Sequence, residues 1–182
     1  MKIAWGITGS GDKFRETYEV MREIKDVYGE KLTIHVYLSK AGQLVAKYYK
    51  LTEALQGFDR YNVEVDANTP FLSGMLQSGR YDFLIIAPAT SNTVAKIVVG
   101  ISDTLLTNAA VQGVKGFIDV HIMPVDFREG IVTTIIPSGK ELKLRIRKED
   151  AENVRRLEKM EGFLVFENPD EIWDIIEKRL RD

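Results

Sequence analysis

Apolar runs alternate with segments of helical periodicity along most of the chain. The runs that predict strands, by their length and β-branched content, lie at residues 2–7, 32–38, 62–65, 81–87, 117–125 and 163–166. The run at 81–87 is almost continuously apolar, which is typical of a strand covered on both faces in a parallel sheet. We therefore expect a central sheet with buried strands.

Between these runs, apolar residues recur every three or four positions, as they do on one face of a helix. The predicted helices cover residues 12–28, 41–55, 70–77, 94–99, 105–111, 149–161 and 168–180. Asp12 is the predicted N-cap of the first helix, and Gly29 its stop. Asn168 is the predicted N-cap of the last, with Pro169 as its first residue.

The pattern changes in the last third of the chain. Two β-rich runs, 130–136 and 141–146, flank Pro-Ser-Gly-Lys at 137–140 and predict a β-hairpin. The strand–helix alternation elsewhere predicts an α/β fold, a doubly wound Rossmann-like or flavodoxin-like parallel sheet with helices on both faces and a C-terminal β-hairpin arm. We expect one domain over residues 1–182, with 130–147 as an insertion.

Composition excludes several classes of protein. The 182 residues include no cysteine, which excludes disulfides, thiolate-bound iron–sulfur clusters and a cysteine nucleophile. Lys and Arg number 25 against 27 Asp and Glu, a balance unlike that of a nucleic-acid binder. Because we find no signal peptide and no apolar stretch of about 18 residues, we expect a cytoplasmic protein that binds neither nucleic acid nor membranes.

Three polar clusters follow predicted strands, at the edge where ligands bind in such sheets. They lie at residues 8–11, 39–40 and 88–93 and are rich in Ser, Thr and Gly. Hydroxyls beside helix N-termini suit a phosphate, and glycine lets a ligand approach the backbone closely. The same residue types also form caps and turns, so each cluster alone has a structural explanation. Three clusters at one edge favour a phosphate-bearing ligand.

Other nucleotide and metal signatures are missing from the sequence. Gly6-x-x-Gly9-x-Gly11 matches neither the Walker A loop nor the dinucleotide fingerprint, so ATP and NAD gain no support. His35 and His121 lie in predicted strands with no acidic neighbour at metal-ligand spacing, and we expect no metal site.

No catalytic residue follows from the pattern alone. His121 lies near the predicted ligand end of its strand, and Asp126 and Arg128 follow that strand. These residues could contact a substrate, although a solvated loop is the simpler explanation for the two charged side chains.

The sequence Pro-Ala-Thr-Ser-Asn-Thr at 88–93 resembles the Pro-Ala-Ser-Ala-Asn-Thr motif of the FMN-binding flavoprotein superfamily, which includes the homo-oligomeric flavin-containing cysteine decarboxylases. Further resemblance lies at residues 6–10, 38–41, 94–97 and 100–107. Together these matches cover about residues 1–125 in order, which is more specific than one motif.

The resemblance implies FMN as the cofactor and assigns residues to it. Gly9, Ser10 and Ser39 would hold the phosphate and ribityl chain, and the 88–93 motif would contact the flavin, with residues 102 and 103 close by. The full expected FMN-binding set is Gly9, Ser10, Gly11, Ser39, Pro88, Ala89, Thr90, Ser91, Asn92, Thr93, Ser102 and Asp103.

The chain departs from the decarboxylases at two places. Residues 56–82 lack the histidine that those enzymes use, and the C-terminal Pro-x-Met-Asn motif is absent. The whole chain is more similar to the archaeal-type flavoproteins called archaeoflavoprotein A, whose relatives include dihydromethanopterin reductases.

That branch implies a redox protein that takes electrons from reduced ferredoxin and passes them to a small acceptor such as a pterin. Without cysteine the chain has no built-in cluster, so the donor must be external. A flavin-dependent decarboxylase, a flavin prenyltransferase and a non-catalytic flavin-binding module remain as alternatives. Relatives form trimers or larger assemblies, so we expect a homo-oligomer, with a trimer favoured over a dimer and the hairpin as a contact arm.

Overall fold

The computed structural model describes residues 1–181 and contains two sheets. The strands are β1 (Lys2–Ile7), β2 (Thr33–Leu38), β3 (Arg60–Val63), β4 (Phe83–Ala89), β5 (Val120–Pro124), β6 (Gly130–Ile135), β7 (Glu141–Ile146) and β8 (Phe163–Val165). Six of them form one parallel sheet in the order β3-β2-β1-β4-β5-β8. This arrangement confirms the predicted fold class.

The two central strands are buried on both faces. Ile3 of β1 is in register with Ile34 of β2 on one side and with Phe83 of β4 on the other. Every residue of β4 is buried, as its apolar run predicts. Burial of both faces requires helices on each side of the sheet.

Helices form a layer on each face of the main sheet. They are α1 (Phe14–Tyr28), α2 (Lys40–Tyr48), α3 (Thr52–Gln56), α4 (Leu72–Gln77), α5 (Ser91–Val98), α6 (Leu105–Lys115), α7 (Lys148–Leu157) and α8 (Glu171–Arg181). The first three and α8 contribute to one apolar core, and the other four to a second core across the sheet. Within residues 1–181, no helix combines the length and the hydropathy that a membrane crossing needs.

The strands β6 and β7 form the predicted hairpin as a separate antiparallel sheet. Gly130 is in register with Ile146, and Ile135 with Glu141. The hairpin leaves apolar side chains in solvent, with Ile131 75% exposed and Ile135 62% exposed.

Two predictions near the first polar clusters were wrong. Asp12 does not cap α1, because the helix begins two residues later and follows Lys13, whose φ of 55° is left-handed. The predicted helix over 41–55 is two helices, α2 and α3, separated at Lys50, which also has a positive φ of 57°. Positive φ values interrupt a right-handed helix, and no glycine or proline marked these positions.

The predicted start of the last helix was also wrong. Asn168 and Pro169 lie in the turn before α8, which begins at Glu171. The Glu171 carboxylate accepts hydrogen bonds from the backbone N–H groups of Glu167 and Asn168, at 3.1 and 2.8 Å. The Glu171 side chain, which lies inside the helix, therefore stabilises this turn, and Asn168 does not act as the predicted N-cap.

Two helical glycines give opposite predictions for the same substitution. A Cβ at Gly42 in α2 would overlap the backbone carbonyl oxygen of Ile7, whereas a Cβ at Gly113 in α6 would meet Leu76 and Val120 at an ordinary 3.5 Å. We expect Gly42→Ala to lower the free energy of unfolding by about 1–3 kcal/mol through overpacking. Gly113→Ala should raise it by up to about 1 kcal/mol through helix propensity.

Chemical denaturation of both variants measures this difference, with Gly113→Ala as the matched control. Equal changes in the free energy of unfolding of the two variants would show that α2 does not need its close approach to the end of β1.

Candidate functional site

A cavity of about 390 Å³ opens at the carboxyl edge of the main sheet. Ligand pockets in proteins have about 300–1,000 Å³, and in doubly wound sheets they lie where the strand order reverses, here between β1 and β4. The residues that line it are Thr8, Gly9, Ser39, Lys40, Ala41, Glu64, Thr90, Asn92, Thr93, Lys96, Thr104 and Leu106.

Two larger hollows lie elsewhere on the molecule. One of about 640 Å³ is at the base of the hairpin, and one of about 620 Å³ lies between β8 and α8. Neither is lined by residues from the ends of β1, β2 and β4. We therefore regard the smaller cavity as the candidate site.

Thr8 joins the ends of the two central strands at the cavity. Its N–H and its hydroxyl both donate to the carbonyl of Pro88, at 3.2 and 2.8 Å. Its hydroxyl oxygen accepts from the N–H of Thr90 at 2.9 Å. These bonds hold the turn after β1 against the start of α5.

The start of α2 forms a second part of the wall. Ser39 caps this helix, since its Oγ accepts from the N–H of Gly42 at 2.9 Å, and its own hydroxyl proton stays free to donate. A Cβ at Gly9 would lie 2.6 Å from the Cβ of Ala41. The missing side chain therefore lets the turn after β1 pack directly on the start of α2.

The start of α5 forms the third part. Thr90 caps the helix by accepting from the N–H of Thr93 at 3.3 Å, and the two hydroxyl oxygens are 3.0 Å apart. The first-turn N–H groups at Ser91 and Asn92 have no acceptor inside the helix. Because helix N-termini carry partial positive charge, the start of α5 favours an anion in the cavity. The start of α2 contributes as well, although its first N–H already donates to the Glu64 carboxylate.

Few charged side chains line the cavity. The ammonium of Lys96 donates to both carboxylate oxygens of Asp103 at 2.9 Å, Lys40 is exposed, and Glu64 is buried in the wall. Anion binding here would depend on backbone dipoles and hydroxyls as much as on ammonium groups.

Five of the predicted site residues line this one cavity. They come from the ends of three strands and are Gly9, Ser39, Thr90, Asn92 and Thr93. The structure therefore brings together members of all three polar clusters. Whether they bind a cofactor stays a prediction.

Ser10 and Gly11 lie beside the cavity without lining it. The Oγ of Ser10 accepts from the N–H of Asp12 at 3.2 Å, and Gly11 packs against Tyr49. Burial raises the pKa of the Asp12 carboxyl, the nearby Glu16 and Asp126 carboxylates add to the increase, and Lys13 opposes it.

The remaining predicted residues also lie outside the lining. The hydroxyl of Ser91 donates to the Asp126 carboxylate, and Arg128 pairs with Glu167 at 2.6 Å. The other four are in buried β4 or in the loop before α6, and are Pro88, Ala89, Ser102 and Asp103.

Seven lining residues were outside the predicted set, namely Thr8, Lys40, Ala41, Glu64, Lys96, Thr104 and Leu106. Thr8 and Lys40 belong to the polar clusters, and Ala41, Lys96, Thr104 and Leu106 belong to the stretches that carry the family resemblance, so a signal existed for these six. Glu64 follows the short strand β3 and had no local signal, because only tertiary packing brings it to the cavity.

Neither histidine lines the cavity. The Nδ1 of His35 lies 2.8 Å from the hydroxyl of Tyr81, whose oxygen is 2.7 Å from that of Tyr37. His121 is the second residue of β5, inside the strand as predicted and outside the cavity lining, and it packs on Phe83. Burial lowers the pKa of His121 to about 4, with a smaller effect of the Arg179 guanidinium.

Comparison with known proteins agrees with this geometry. The chain is 48% identical over 181 residues to an uncharacterized protein of Methanocaldococcus jannaschii, covering 99% of this chain and 96% of that one. It is 34% identical to the dihydromethanopterin reductase (acceptor) of the same organism, covering 98% and 97%.

A crystal structure also resembles this fold closely. DmrB of Burkholderia xenovorans, solved in complex with FMN and described as a cubic protein cage for redox transfer, superposes with a TM-score of 0.83. The two chains are 33% identical, and the match covers 99% of this chain and 95% of DmrB. The sequence matches the Flavoprotein family over residues 1–176, and the chain therefore belongs to that family.

Proposed function

We propose that the cavity binds FMN and that the protein is a redox flavoprotein. The observation that carries this proposal is the convergence of two helix N-termini and three hydroxyl-bearing turns on one cavity, in a chain of the Flavoprotein family. The residues fit FMN, since its phosphate needs hydrogen-bond donors and its ribityl chain needs polar partners. The crystal structure of DmrB in complex with FMN supports this cofactor.

The phosphate and ribityl chain belong beside the turn after β1 and the start of α2. Gly9 lines the cavity there, and the Ser39 hydroxyl proton is free to donate to a phosphate oxygen. Ser10 and Gly11 continue the same turn and offer backbone N–H groups.

The flavin ring belongs beside the start of α5. Thr90, Asn92 and Thr93 line that part of the cavity, and Pro88 and Ala89 end the strand below it. Ser91 stands between the lining residues Thr90 and Asn92, and Ser102 and Asp103 directly precede the lining residue Thr104. In this role the protein orients the ring and adjusts its electrostatic surroundings.

The electron donor in this proposal is reduced ferredoxin, and the acceptor is a small molecule such as a pterin. Bound FMN can accept single electrons and deliver two, which suits transfer from a one-electron donor to a two-electron acceptor. The similarity to a dihydromethanopterin reductase supports the pterin. Histidine-dependent decarboxylation gains no support, because both histidines lie away from the cavity.

We also propose that the protein assembles as a homo-oligomer, with three subunits favoured over two. Exposed apolar side chains mark interfaces, and the hairpin exposes Ile131, Ile135 and Leu144. Val65 and Ile101, close in sequence to cavity-lining residues, are exposed as well. The cage formed by DmrB supports an assembly.

Asn92→Ala tests the cofactor site. The Asn92 side chain is exposed and lines the cavity, so its removal should leave the fold intact while removing a hydrogen bond to the ligand. We expect the FMN dissociation constant, measured by flavin fluorescence titration, to rise about threefold to tenfold.

Asn168→Ala is the matched control, because Asn168 is an exposed asparagine outside the cavity. A wild-type protein that retains no FMN would refute the cofactor proposal. If the two variants bind FMN with equal affinity, the binding site does not include the start of α5.

Anaerobic stopped-flow mixing tests the electron path. Reduced ferredoxin should bleach the visible absorbance of the FMN-loaded protein rapidly, and dihydromethanopterin should restore it. NADH is the control donor and should reduce the flavin slowly, since the sequence lacks a dinucleotide fingerprint. If ferredoxin reduces the flavin no faster than NADH does, the proposed donor is wrong. If the flavin stays reduced after dihydromethanopterin is added, the proposed acceptor is wrong.

Sedimentation velocity tests the assembly. The FMN-loaded protein should sediment as an oligomer, and Ile131→Asp combined with Ile135→Asp should shift it toward the monomer, because buried unpaired carboxylates disfavour an apolar contact. Val27→Asp, an equally exposed apolar position on α1, serves as the control. A monomeric wild-type protein would rule out the assembly.

A further inference from the structure

Glu64 is the buried acidic residue in the cavity wall. Only 8% of it is exposed, and it follows directly on β3, where its own N–H donates to the Leu38 carbonyl at 2.9 Å. Such burial of a carboxylate is costly unless hydrogen-bond donors satisfy both oxygens.

Each oxygen of this carboxylate accepts a bond from a different helix. One oxygen accepts from the N–H of Lys40 at 3.0 Å, and the other from the N–H of Leu105 at 3.2 Å. Lys40 is the first residue of α2, and Leu105 is the first residue of α6. One side chain therefore joins the N-termini of two helices that are distant in sequence.

The two helices carry facing parts of the cavity wall. Ser39 precedes α2 and Thr104 precedes α6, each as the N-cap of its helix, and both line the cavity. Thr104 is held locally, because its N–H donates to the Thr107 hydroxyl at 3.1 Å. Such local bonds fix each turn but do not fix the distance between the turns.

We infer that Glu64 is a positioning residue for the cofactor. Its carboxylate sets the separation of the α2 and α6 N-termini before the ligand arrives, and it places one negative charge in the wall of the cavity. Preorganisation of this kind lowers the entropic cost of binding. The inference rests on the proposed FMN site.

The charge has a separate consequence for the bound flavin. Reduction adds negative charge to the ring, and a carboxylate in the wall of the same cavity opposes that addition. Glu64 therefore lowers the midpoint potential of the bound flavin, which suits a protein that passes electrons onward.

Glu64→Gln tests both effects in the full-length protein. The amide keeps the size of the side chain, but only one of its two polar atoms can accept an N–H. We expect hydrogen exchange at the Lys40 and Leu105 amides of the apo-protein to accelerate, the FMN dissociation constant to rise about tenfold, and the midpoint potential to become more positive.

Glu64→Asp distinguishes the effect of side-chain length from the effect of charge, and it replaces Glu64→Gln as the test if that variant does not fold. The shorter side chain keeps its charge, so FMN affinity should fall while the midpoint potential stays close to that of the wild type. Glu171→Gln is the matched control, because Glu171 also accepts two backbone N–H bonds at a helix start but does not line the cavity. It should change neither the affinity nor the potential.

The outcomes separate this inference from the cofactor proposal. If Glu64→Gln lowers thermal stability but leaves FMN affinity and midpoint potential unchanged, Glu64 only stabilises the fold and the inference is wrong. If the wild-type protein binds no FMN, the cofactor proposal fails, and amide exchange still shows whether Glu64 joins α2 to α6.

Discussion

Parallel pairing of β2, β1 and β4 is the constraint on which the cavity depends. Because the three strands run in the same direction, their carboxyl ends and the turns that follow meet at one edge. The Thr8 side chain extends this pairing beyond the last ladder bonds by joining Pro88 and Thr90. That continuation holds the start of α5 against the turn after β1 and so helps to define the shape of the cavity.

The chemistry of this edge is mostly that of backbone and hydroxyl groups. Ser39 accepts a hydrogen bond from its own helix and retains a proton to donate, and the Thr90 hydroxyl accepts from the N–H of Thr93 and also bonds to the Thr93 hydroxyl. The ammonium of Lys96 is engaged with Asp103. A site built in this way recognises an anion through oriented dipoles, which need no rearrangement when the ligand enters.

Strand positions and fold class followed from the sequence because buried parallel strands leave long apolar runs. Members of the three polar clusters at the cavity followed as well, since strand ends fix where turns meet. The break between α2 and α3 at Lys50 could not be predicted, because a left-handed lysine has no compositional signal. The role of Glu64 could not be predicted either, because its partners Lys40 and Leu105 are distant in sequence and only the folded chain shows the connection. The start of α8 was misplaced because an acid within the helix replaces the expected asparagine cap.

Within residues 1–181, the hairpin shares no strand pairing with the main sheet, because β6 and β7 pair with each other in a separate sheet. Substitutions or changes of length in this arm consequently leave the ladder beneath the cavity intact. Evolution can alter this arm while the strand ladder that positions the cavity stays the same, and a protein engineer can exchange the arm between homologues for the same reason.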